Sequence, residues 1–596
     1  MTKLYKSSIY TSRYTLPTLA QIKAQAKKLG KVTAKCKVAI LASFTVSGLK
    51  EVLQVLANDA MFAIDIYEAP YKQYEQEMRN SGSRLQHFVP DITILLLDPF
   101  TILREIQGSM FDGKAIEEFI QKKTESLTTL IDSFIKTSKS HLVVSLIPSP
   151  PFSTLGISEI YTTTSQTNTI RSINHNLRIQ FQTNKSVHFF DFNNFILNWG
   201  YEQVYDPKLF LMGDYFVSPL LFPQLGYELF GFVKASTGKT KKCIVLDLDN
   251  TLWGGIIGED GLSGIKLGPE PPGNAYLLFQ RVLLDYYNRG VLLAINSNNN
   301  EADVQEVFEK HPFMLLKPEH FSVRLINWKD KATNMIEIAK LLNLSLDALV
   351  FVDDDPKKRI LMRSLNPQVL TIDLPDDPAQ YAKMLTGIND FAQFTFTSED
   401  LKRGKFYQEQ AHRETLKTKV SDLKDYLQKL KVQVKRIPVS DFIVPRAAQL
   451  TQRTNQFNIT TRRYTEADIT KYIHDPNAII CIIEVLDTFG SYGIVGVAIV
   501  KKESTDIWEI DTFLLSCRVL GIEVENALLH MICTALQKHH AKILKGVFIP
   551  TAKNEPAADF FHQNQFKLIK KTKEKSVWEL NIKKQLIPKP LHIELL

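Results

Sequence analysis

Cysteine is scarce in this sequence, with five residues in 596 and no Cys-x-x-Cys pair. The thiols are scattered along the chain, at Cys36, Cys243, Cys481, Cys517 and Cys533. This spacing excludes a disulfide framework and a zinc ribbon, and it is typical of a protein from a reducing compartment. We therefore expect a cytoplasmic protein.

Long apolar runs and dense basic runs are also missing. No apolar stretch approaches the roughly 18 residues of a membrane-spanning helix, and the polar segment Met1–Leu16 lacks the apolar centre of a signal peptide. The net charge of +8 is small for this length, and the densest basic run, Lys570–Lys575, is typical of a solvated face. We expect no signal peptide, no membrane span and no nucleic-acid partner.

The remaining composition is that of a globular protein, with 44% hydrophobic and 23% charged residues. The first third alternates short apolar runs with amphipathic stretches, which predicts a parallel sheet with crossover helices. A polar linker, Ser236–Lys242, leads into a second α/β unit. The last unit begins with a charged helical stretch, Glu399–Leu430, and combines antiparallel strand signals with a helix at Ile522–Lys538. The sequence predicts an α/β multidomain protein with domains at 1–240, 241–395 and 396–596.

The central unit shows the clearest alternation of strands and helices. Its strands are predicted at Cys243–Leu248, Val291–Ile295, Phe321–Ile326 and Ala348–Val352. The helices between them are predicted at Ala275–Asn288, Glu301–Lys310 and Lys331–Leu342, where apolar residues recur at helical spacing.

Acidic residues directly follow two of these strands. Asp247 and Asp249 end the first strand, and Asp353 and Asp354 follow the last. Strand ends in open α/β sheets face the ligand crevice, and carboxylates are hard oxygen donors that suit Mg²⁺. Because neighbouring carboxylates repel each other, a buried site that holds several of them needs a cation.

Two further polar residues lie between the acidic pairs. Ser297 follows the second strand, and Lys331 begins a helix. A hydroxyl and an ammonium at such places can hold phosphate oxygens. An Asp-x-Asp pair alone means little, but this ordered set of strand ends and a helix start indicates a phosphoryl-transfer site rather than unrelated loop clusters.

The residue types suggest a role for each member of the set. Asp247 would be the nucleophile that forms an aspartyl phosphate, and Asp249 would act as general acid and then as general base. A Mg²⁺ ion would neutralise charge on the phosphoryl group. The predicted metal ligands are Asp247, Asp249 through its backbone carbonyl, Asp353 and Asp354. The predicted phosphate ligands are Thr251, Ser297 and Lys331.

The run from Leu246 to Gly261 reads Leu-Asp-Leu-Asp-Asn-Thr-Leu-Trp-Gly-Gly-Ile-Ile-Gly-Glu-Asp-Gly. With further matches at Asn299–Asp303, Asn327–Asn334 and Phe351–Asp354, it resembles the haloacid dehalogenase (HAD) phosphatase superfamily. More narrowly, it resembles the FkbH-like family, HAD subfamily IIIC. The short segment between Asp249 and the predicted helix at Ala275 leaves no room for a large cap domain. We therefore expect an open site that admits a macromolecular carrier.

The resemblance implies an activity. FkbH-like proteins take the glyceryl group from 1,3-bisphosphoglycerate, remove phosphate and load the acyl unit on an acyl carrier protein, in polyketide or related secondary-metabolite biosynthesis. By this resemblance the chain is an enzyme with Mg²⁺ as cofactor, a phosphorylated small molecule as substrate and an acyl carrier protein as partner.

The chain departs from the usual family pattern next to Ser297. The family reads Cys-Ser-Lys-Asn-Asn where this chain has Asn-Ser-Asn-Asn-Asn at 296–300. The family cysteine is the candidate for an enzyme-bound glyceryl thioester, which Asn296 cannot form. Asn298 removes a positive charge that could hold a phosphate or a carboxylate. Two alternatives to acyl loading therefore stay open: a small-molecule phosphatase, which Asn296 favours, and a non-catalytic scaffold for carrier proteins.

The N-terminal region resembles the SGNH-hydrolase-like domain of the same family. The matches are Ala42–Thr45, Pro70–Gln76 and Pro90–Asp91. Ser43 stands where such a nucleophile would lie, but the region has no Gly-Asp-Ser run, and no histidine lies between His188 and His311. A serine hydrolase needs such a base, so we expect a recognition or dimer module rather than a second active site.

The C-terminal region resembles a GNAT acetyltransferase fold. The matches are Thr454–Asn458, Thr461–Tyr464, Tyr492–Val497, Trp508–Phe513, Ser516–Gly521 and Pro550–Asn554. In that fold an Arg-x-x-Gly-x-Gly/Ala turn binds a pyrophosphate through backbone N–H groups. Here the turn contains Arg518 and Gly521, but Glu523 replaces the final glycine or alanine. Phe561 lacks the hydroxyl of the tyrosine that the family often has there. The resemblance implies acyl-CoA or a phosphopantetheine arm as ligand of this domain.

Overall fold

The computed structural model describes residues 14, 16–29, 36–106, 112–394, 409, 413, 416, 422–440, 442–454, 456–551, 554–572, 574–585 and 587–596. The chain forms two compact units, Met1–Gly404 and Lys405–Leu596. The first unit holds two parallel sheets and the second holds one mixed sheet. The predicted α/β multidomain class is confirmed. The division into three domains stays a prediction, and its boundary at 395 lies outside the described residues.

The first sheet contains five parallel strands in the order β2-β1-β3-β4-β5. Its strands are β1 Cys36–Ala42, β2 Ile64–Glu68, β3 Ile92–Leu96, β4 His141–Ser145 and β5 Val187–Phe190. Apolar helix faces cover both sides of the sheet and form two cores. The helices are Leu19–Ala26, Leu49–Asp59, Tyr74–Arg79, Arg84–Phe88, Pro99–Leu103, Gly113–Thr137, Gln166–Phe181, Phe192–Trp199, Tyr201–Val204, Pro207–Gly213 and Phe222–Thr237.

The second sheet also has five parallel strands, in the order β10-β9-β6-β7-β8. Its strands are β6 Cys243–Leu246, β7 Leu292–Ser297, β8 Phe321–Ile326, β9 Leu349–Asp353 and β10 Leu370–Asp373. The helices are Ile257–Gly264, Gly273–Asn288, Glu301–Lys310, Lys331–Leu341, Pro356–Leu365 and Tyr381–Thr386. Strand β6 lies at the centre, with β7 on one side and β9 on the other. Residues that follow these three strands therefore meet at one edge of the sheet.

The second unit has a sheet in the order β17-β18-β16-β15-β14-β13-β11-β19, with β12 paired to β15. Its strands are β11 Val432–Ile437, β12 Phe457–Asn458, β13 Ala478–Asp487, β14 Gly490–Lys502, β15 Ile507–Leu515, β16 Ile543–Phe548, β17 Lys567–Lys571, β18 Ser576–Asn581 and β19 Ile593–Leu595. The helices are Leu423–Leu430, Val444–Arg453, Glu466–Ile473, Val524–Lys538 and Phe560–Gln563. Most of the predicted stretch Glu399–Leu430 lies outside the described residues. No helix in the described ranges has the length and apolar composition to cross a membrane.

Candidate active site

The Asp247 carboxylate lies at the carboxyl end of the central strand β6. Ser297, the last residue of β7, donates a hydrogen bond from Oγ to Asp247 Oδ1 at 2.7 Å. The Lys331 ammonium pairs with Asp247 Oδ2, also at 2.7 Å. The structure thus brings the predicted nucleophile together with two of the predicted phosphate-binding groups.

Three carboxylates cluster at the same edge of the sheet. Oxygens of Asp247, Asp353 and Asp354 lie within 4.8 Å of one another. Lys331 Nζ contacts Asp353 Oδ2 at 2.7 Å, and Asp353 Oδ1 accepts a hydrogen bond from the backbone N–H of Asp355 at 2.9 Å. The Lys331 ammonium therefore contacts two of the three carboxylates in this cluster.

Burial and mutual repulsion disfavour the charged forms of two of these acids. Burial, and then the charge of Asp247, raise the pKa of Asp353 to about 6. Burial, and then the charges of Asp247 and Asp353, raise the pKa of Asp354 to about 6. Burial lowers the pKa of the Lys331 ammonium, but the two adjacent carboxylates outweigh it and raise that pKa. A divalent cation would relieve this repulsion, and the all-oxygen donor set fits Mg²⁺.

The Asp249 carboxylate is oriented by three N–H donors. Trp253 Nε1 and the backbone N–H of Ile257 donate to Oδ1 at 2.9 and 3.1 Å. Asn299 Nδ2 donates to Oδ2 at 2.9 Å. Neither Trp253 nor Asn299 had a role in the sequence-based prediction, although both lie inside the matching motifs. The metal contact predicted for Asp249 stays a prediction.

The Thr251 side chain contacts the Asp354 carboxylate and does not line the cleft. Its side chain is buried, and Oγ1 donates to Asp354 Oδ1 at 3.4 Å. Arg359, which sequence reasoning missed, donates to the backbone carbonyls of Asp353 and Asp354 at 2.8 and 2.6 Å. These contacts hold Asp353 and Asp354 in position. A phosphate contact for Thr251 stays a prediction.

A cleft of about 520 Å³ opens over the nucleophile, a size that takes a small metabolite. Two of the carboxylates at its rim cap helices: Asp330 accepts from the backbone N–H of Thr333 at 2.9 Å, and Asp355 accepts from that of Lys357 at 2.8 Å. The lining residues are Asp247, Asp249, Ser297, Asn298, Trp328, Lys329, Asp330, Lys331, Asp355 and Lys358.

Asn296 does not line this cleft. It is 0% exposed; its Nδ2 donates to the Lys331 carbonyl at 2.9 Å, and its Oδ1 accepts from Asn334 Nδ2 at 3.2 Å. Side chains alternate between the faces of a strand, so Ser297 faces the nucleophile and Asn296 faces the helix that starts at Lys331. The position of the family cysteine is therefore beneath the cleft.

Ser43 is enclosed at the corresponding edge of the first sheet. Its hydroxyl donates to Asp98 Oδ2 at 2.5 Å and accepts from the Asp98 backbone N–H at 2.8 Å. Ser43 is 0% exposed and Asp98 is 1% exposed. The Ser43 hydroxyl is thus buried and paired with Asp98, and the expected non-hydrolytic role of this region stays a prediction.

The predicted pyrophosphate turn precedes the helix Val524–Lys538. Gly521 is exposed and has φ +79°, and the Arg518 guanidinium donates to the Tyr492 carbonyl at 3.5 Å. Burial, and then Glu523, raise the pKa of the Glu525 carboxyl at the start of the helix. Two acidic residues, Glu523 and Glu525, thus lie at the start of this helix, and the roles of Arg518 and Gly521 stay predictions.

Residues 37–232 match a family model described as FkbH, N-terminal domain. This part of the chain is similar to the FkbH N-terminal domain. A solved structure is similar over a longer range: the N-terminal part of a Bacteroides fragilis protein that contains a phosphatase domain, complexed with Mg. It is 27% identical and covers 64% of this chain and 100% of its own, with a TM-score of 0.59. The two findings confirm the predicted FkbH-like resemblance and the HAD-type phosphatase class of the enzyme.

Two smaller solved structures also match. Ard1 from Thermoplasma volcanium is 14% identical and covers 26% of this chain and 98% of its own, with a TM-score of 0.21. An acetyltransferase from Thermus thermophilus is 15% identical and covers 26% of this chain and 99% of its own, with a TM-score of 0.20. No curated protein matches the chain.

Proposed function

We propose that the chain is a Mg²⁺-dependent phosphoryl hydrolase or transferase of the HAD type. One observation carries the proposal: both oxygens of Asp247 are held at 2.7 Å, by Ser297 and Lys331, at the edge of the sheet where Asp353 and Asp354 lie. Asp249 follows two residues later and lines the same cleft. A nucleophile, a proton-transfer group, phosphate ligands and metal ligands are thus present together.

The chemistry follows from these positions. A phosphoryl group that enters the cleft would take over the hydrogen bonds that Ser297 and Lys331 now make to Asp247. Asp247 attacks phosphorus while the bond to the leaving oxygen breaks, and Asp249 donates a proton to that oxygen. Asp249 then accepts a proton from water, whose attack on the aspartyl phosphate releases phosphate and restores Asp247.

The acidic cluster would hold the metal ion. Asp247, Asp353 and Asp354 would be side-chain ligands, together with the backbone carbonyl of Asp249. When bound, Mg²⁺ neutralises negative charge on the phosphoryl group. The relative from Bacteroides fragilis was solved as a Mg complex, which supports this choice of metal.

For the substrate we propose a phosphoglycerate-like molecule, 1,3-bisphosphoglycerate, in cytoplasmic polyketide or related secondary-metabolite biosynthesis. The glyceryl unit would pass to an acyl carrier protein, and the FkbH family match supports this assignment. The carrier thiolate attacks the acyl carbon, the C–S bond forms, the bond between the acyl carbon and the phosphate oxygen breaks, and inorganic phosphate leaves. The phosphate ester at the other end is hydrolysed at Asp247. No cysteine lines the described cleft, so the carrier's phosphopantetheine supplies the thiol.

Phosphate release from acetyl phosphate tests the proposed chemistry. We expect release that requires Mg²⁺, stops with EDTA and is lost in Asp247→Asn, because the amide is a poor nucleophile. In Asp249→Asn, slower hydrolysis should leave a covalently phosphorylated chain that intact-mass measurement detects. Asp285→Asn serves as the matched control, because it replaces an exposed aspartate on the helix Gly273–Asn288, which precedes β7 of the same sheet. Wild-type release by Asp247→Asn would refute the proposal.

A second candidate function is a small-molecule phosphatase without acyl loading, which rests on Asn296 in place of the family cysteine. Intact mass of a carrier protein incubated with the enzyme and 1,3-bisphosphoglycerate separates the two. A glyceryl-sized gain supports loading, and phosphate release without that gain supports the second function. The paired carboxylates and lysine of the site argue against a non-catalytic scaffold.

A further inference from the structure

We propose that the Lys358 ammonium binds a second anionic group of the substrate, a carboxylate or a phosphate, remote from the phosphoryl group that Asp247 attacks. The proposal rests on the proposed phosphatase function and narrows its substrates to small metabolites with an anionic group at each end. It identifies a specificity-determining residue that the motifs around the acidic cluster do not include.

A neutral partner holds Lys358 in the cleft that Asp247 also lines. Its Nζ donates to Asn298 Oδ1 at 3.2 Å. Asn298 Nδ2 in turn donates to the carbonyls of Asn327 and Lys329, at 2.9 Å each. An ammonium has three N–H donors, so the contact with Asn298 orients Lys358 and leaves donors for a ligand.

Although aspartates line the same cleft, the Lys358 ammonium forms no ion pair with a carboxylate of the described residues. Lys331 is committed to Asp247 and Asp353, but no described carboxylate lies within the 4.0 Å salt-bridge limit of the ammonium of Lys358 or Lys329. Both of these lysines line the cleft. A half-buried ammonium without a counter-ion is a site for a charged ligand group, because charge-assisted hydrogen bonds are the stronger ones.

The position of Lys358 also offsets the sequence departure at 298. The FkbH-like pattern has a lysine at this position, and this chain has Asn298. The helix Pro356–Leu365, which follows β9, brings the Lys358 ammonium onto the Asn298 side chain. The Lys358 ammonium thus places a positive charge next to the side chain at position 298.

Asp247 and Lys358 line one cleft and are each held by one of two consecutive residues. Ser297, which contacts Asp247, and Asn298, which contacts Lys358, are consecutive, and consecutive Cα atoms lie about 3.8 Å apart. Trp328, 73% exposed, forms a wall of the same cleft and donates from Nε1 to Asn300 Oδ1 at 3.3 Å.

Two probes isolate the second anion: 3-phosphoglycerate and glycerol 3-phosphate. In both probes a phosphate ester is attached to one end of a three-carbon chain. The other end is a carboxylate in 3-phosphoglycerate and a hydroxymethyl group in glycerol 3-phosphate. We expect wild-type kcat/KM to favour 3-phosphoglycerate by about tenfold, mainly through KM, the gain expected from one charge-assisted hydrogen bond. Lys358→Met should bring the ratio to within about twofold of one, and Lys358→Arg should retain most of the preference.

Lys357→Met is the matched control, because Lys357 is the preceding residue, is exposed and does not line the cleft. Binding is measured separately by calorimetry, on Asp247→Asn protein with Mg²⁺ and each probe, with and without Lys358→Met. Equal affinity for the two probes, or an equal loss for both in Lys358→Met, would overturn the inference. Absence of phosphate release from both probes would instead count against the proposed function, and the binding measurement would still decide the role of Lys358.

Discussion

The carboxyl ends of the two parallel sheets hold the same pair of groups in different surroundings. In the first sheet, Ser43 after β1 donates to Asp98 after β3 at 2.5 Å. In the second, Ser297 at the end of β7 donates to Asp247 after β6 at 2.7 Å. In each case the two strands are neighbours, so a hydroxyl from one meets a carboxylate from the other.

The two pairs differ in how much uncompensated charge surrounds the carboxylate and in whether it lines a cleft. Asp98 also accepts from the backbone N–H of Thr101 at 2.9 Å, and the pair with Ser43 is fully enclosed. Asp247 instead shares its surroundings with two more carboxylates and one ammonium, and it lines a cleft. A serine and an aspartate at strand ends therefore do not define a site, whereas an excess of charge that faces a cleft indicates a place for ions and substrate.

Lys331→Met should give the largest effect. It removes the cation between Asp247 and Asp353, and the loss of one partner of a buried ion pair costs about 3–5 kcal/mol. We expect a marked fall in thermal stability in EDTA, partial recovery with Mg²⁺, and a loss of about 10²–10³ in kcat/KM for phosphate release. Lys340→Met, an exposed residue of the same helix, is the control. An unchanged unfolding temperature in EDTA would contradict the claim that Lys331 stabilises this cluster.

Ser43→Ala tests the enclosed pair and should affect stability alone. The buried Asp98 carboxylate loses its hydroxyl donor, which costs about 1–3 kcal/mol, as measured by denaturant unfolding. Phosphate release per folded molecule should not change, and Ser47→Ala, an exposed serine nearby, should affect neither property. A wild-type esterase activity that disappears in Ser43→Ala would show instead that Ser43 is catalytic.

Asp354→Asn should stabilise the metal-free protein at neutral pH. The folded-state pKa of Asp354, about 6, lies above the ordinary value of 3.8. Between about pH 4 and 6, Asp354 therefore keeps its proton in the folded chain but loses it in the unfolded chain. Stability therefore falls as pH rises through this window. In EDTA we expect the variant to gain about 1–2 kcal/mol at pH 7 and almost nothing at pH 4.

The same variant should bind Mg²⁺ more weakly, because it loses a charged oxygen ligand. Urea unfolding at the two pH values, with and without Mg²⁺, measures both effects, and Asp285→Asn controls for a general change in net charge. An equal gain at pH 4 and pH 7 would mean that repulsion within the cluster is not its source.

Much of the second sheet was predictable because its strands are buried on both faces. Such strands form continuous apolar runs, and the predicted limits of β6 to β9 lie within two residues of those observed. Residues after neighbouring parallel strands meet at one edge, so the proximity of Asp247, Ser297 and the Asp353–Asp354 pair followed from the order of the elements.

Contacts that depend on side-chain direction were harder to predict. The donors that Trp253 and Asn299 provide to Asp249 depend on how two loops pack together. The contact between Lys358 and Asn298 joins residues 60 positions apart. For Asn296 a signal was present: strand alternation places consecutive residues on opposite faces, so a Ser297 that faces the nucleophile implies an Asn296 that faces away.

Asn296→Cys should give the smallest effect and tests this difference in direction. The new thiol would be buried beneath the cleft, so we expect it to react with Ellman's reagent no faster than the wild-type background. Asn298→Cys, two positions further on and at the cleft surface, should react rapidly and serves as the control. We expect Asn296→Cys to cost about 1 kcal/mol of unfolding free energy, because the Lys331 carbonyl loses its donor. Rapid labelling at position 296 would show that this position reaches the cleft, and acyl loading through a thiol there would regain its relevance.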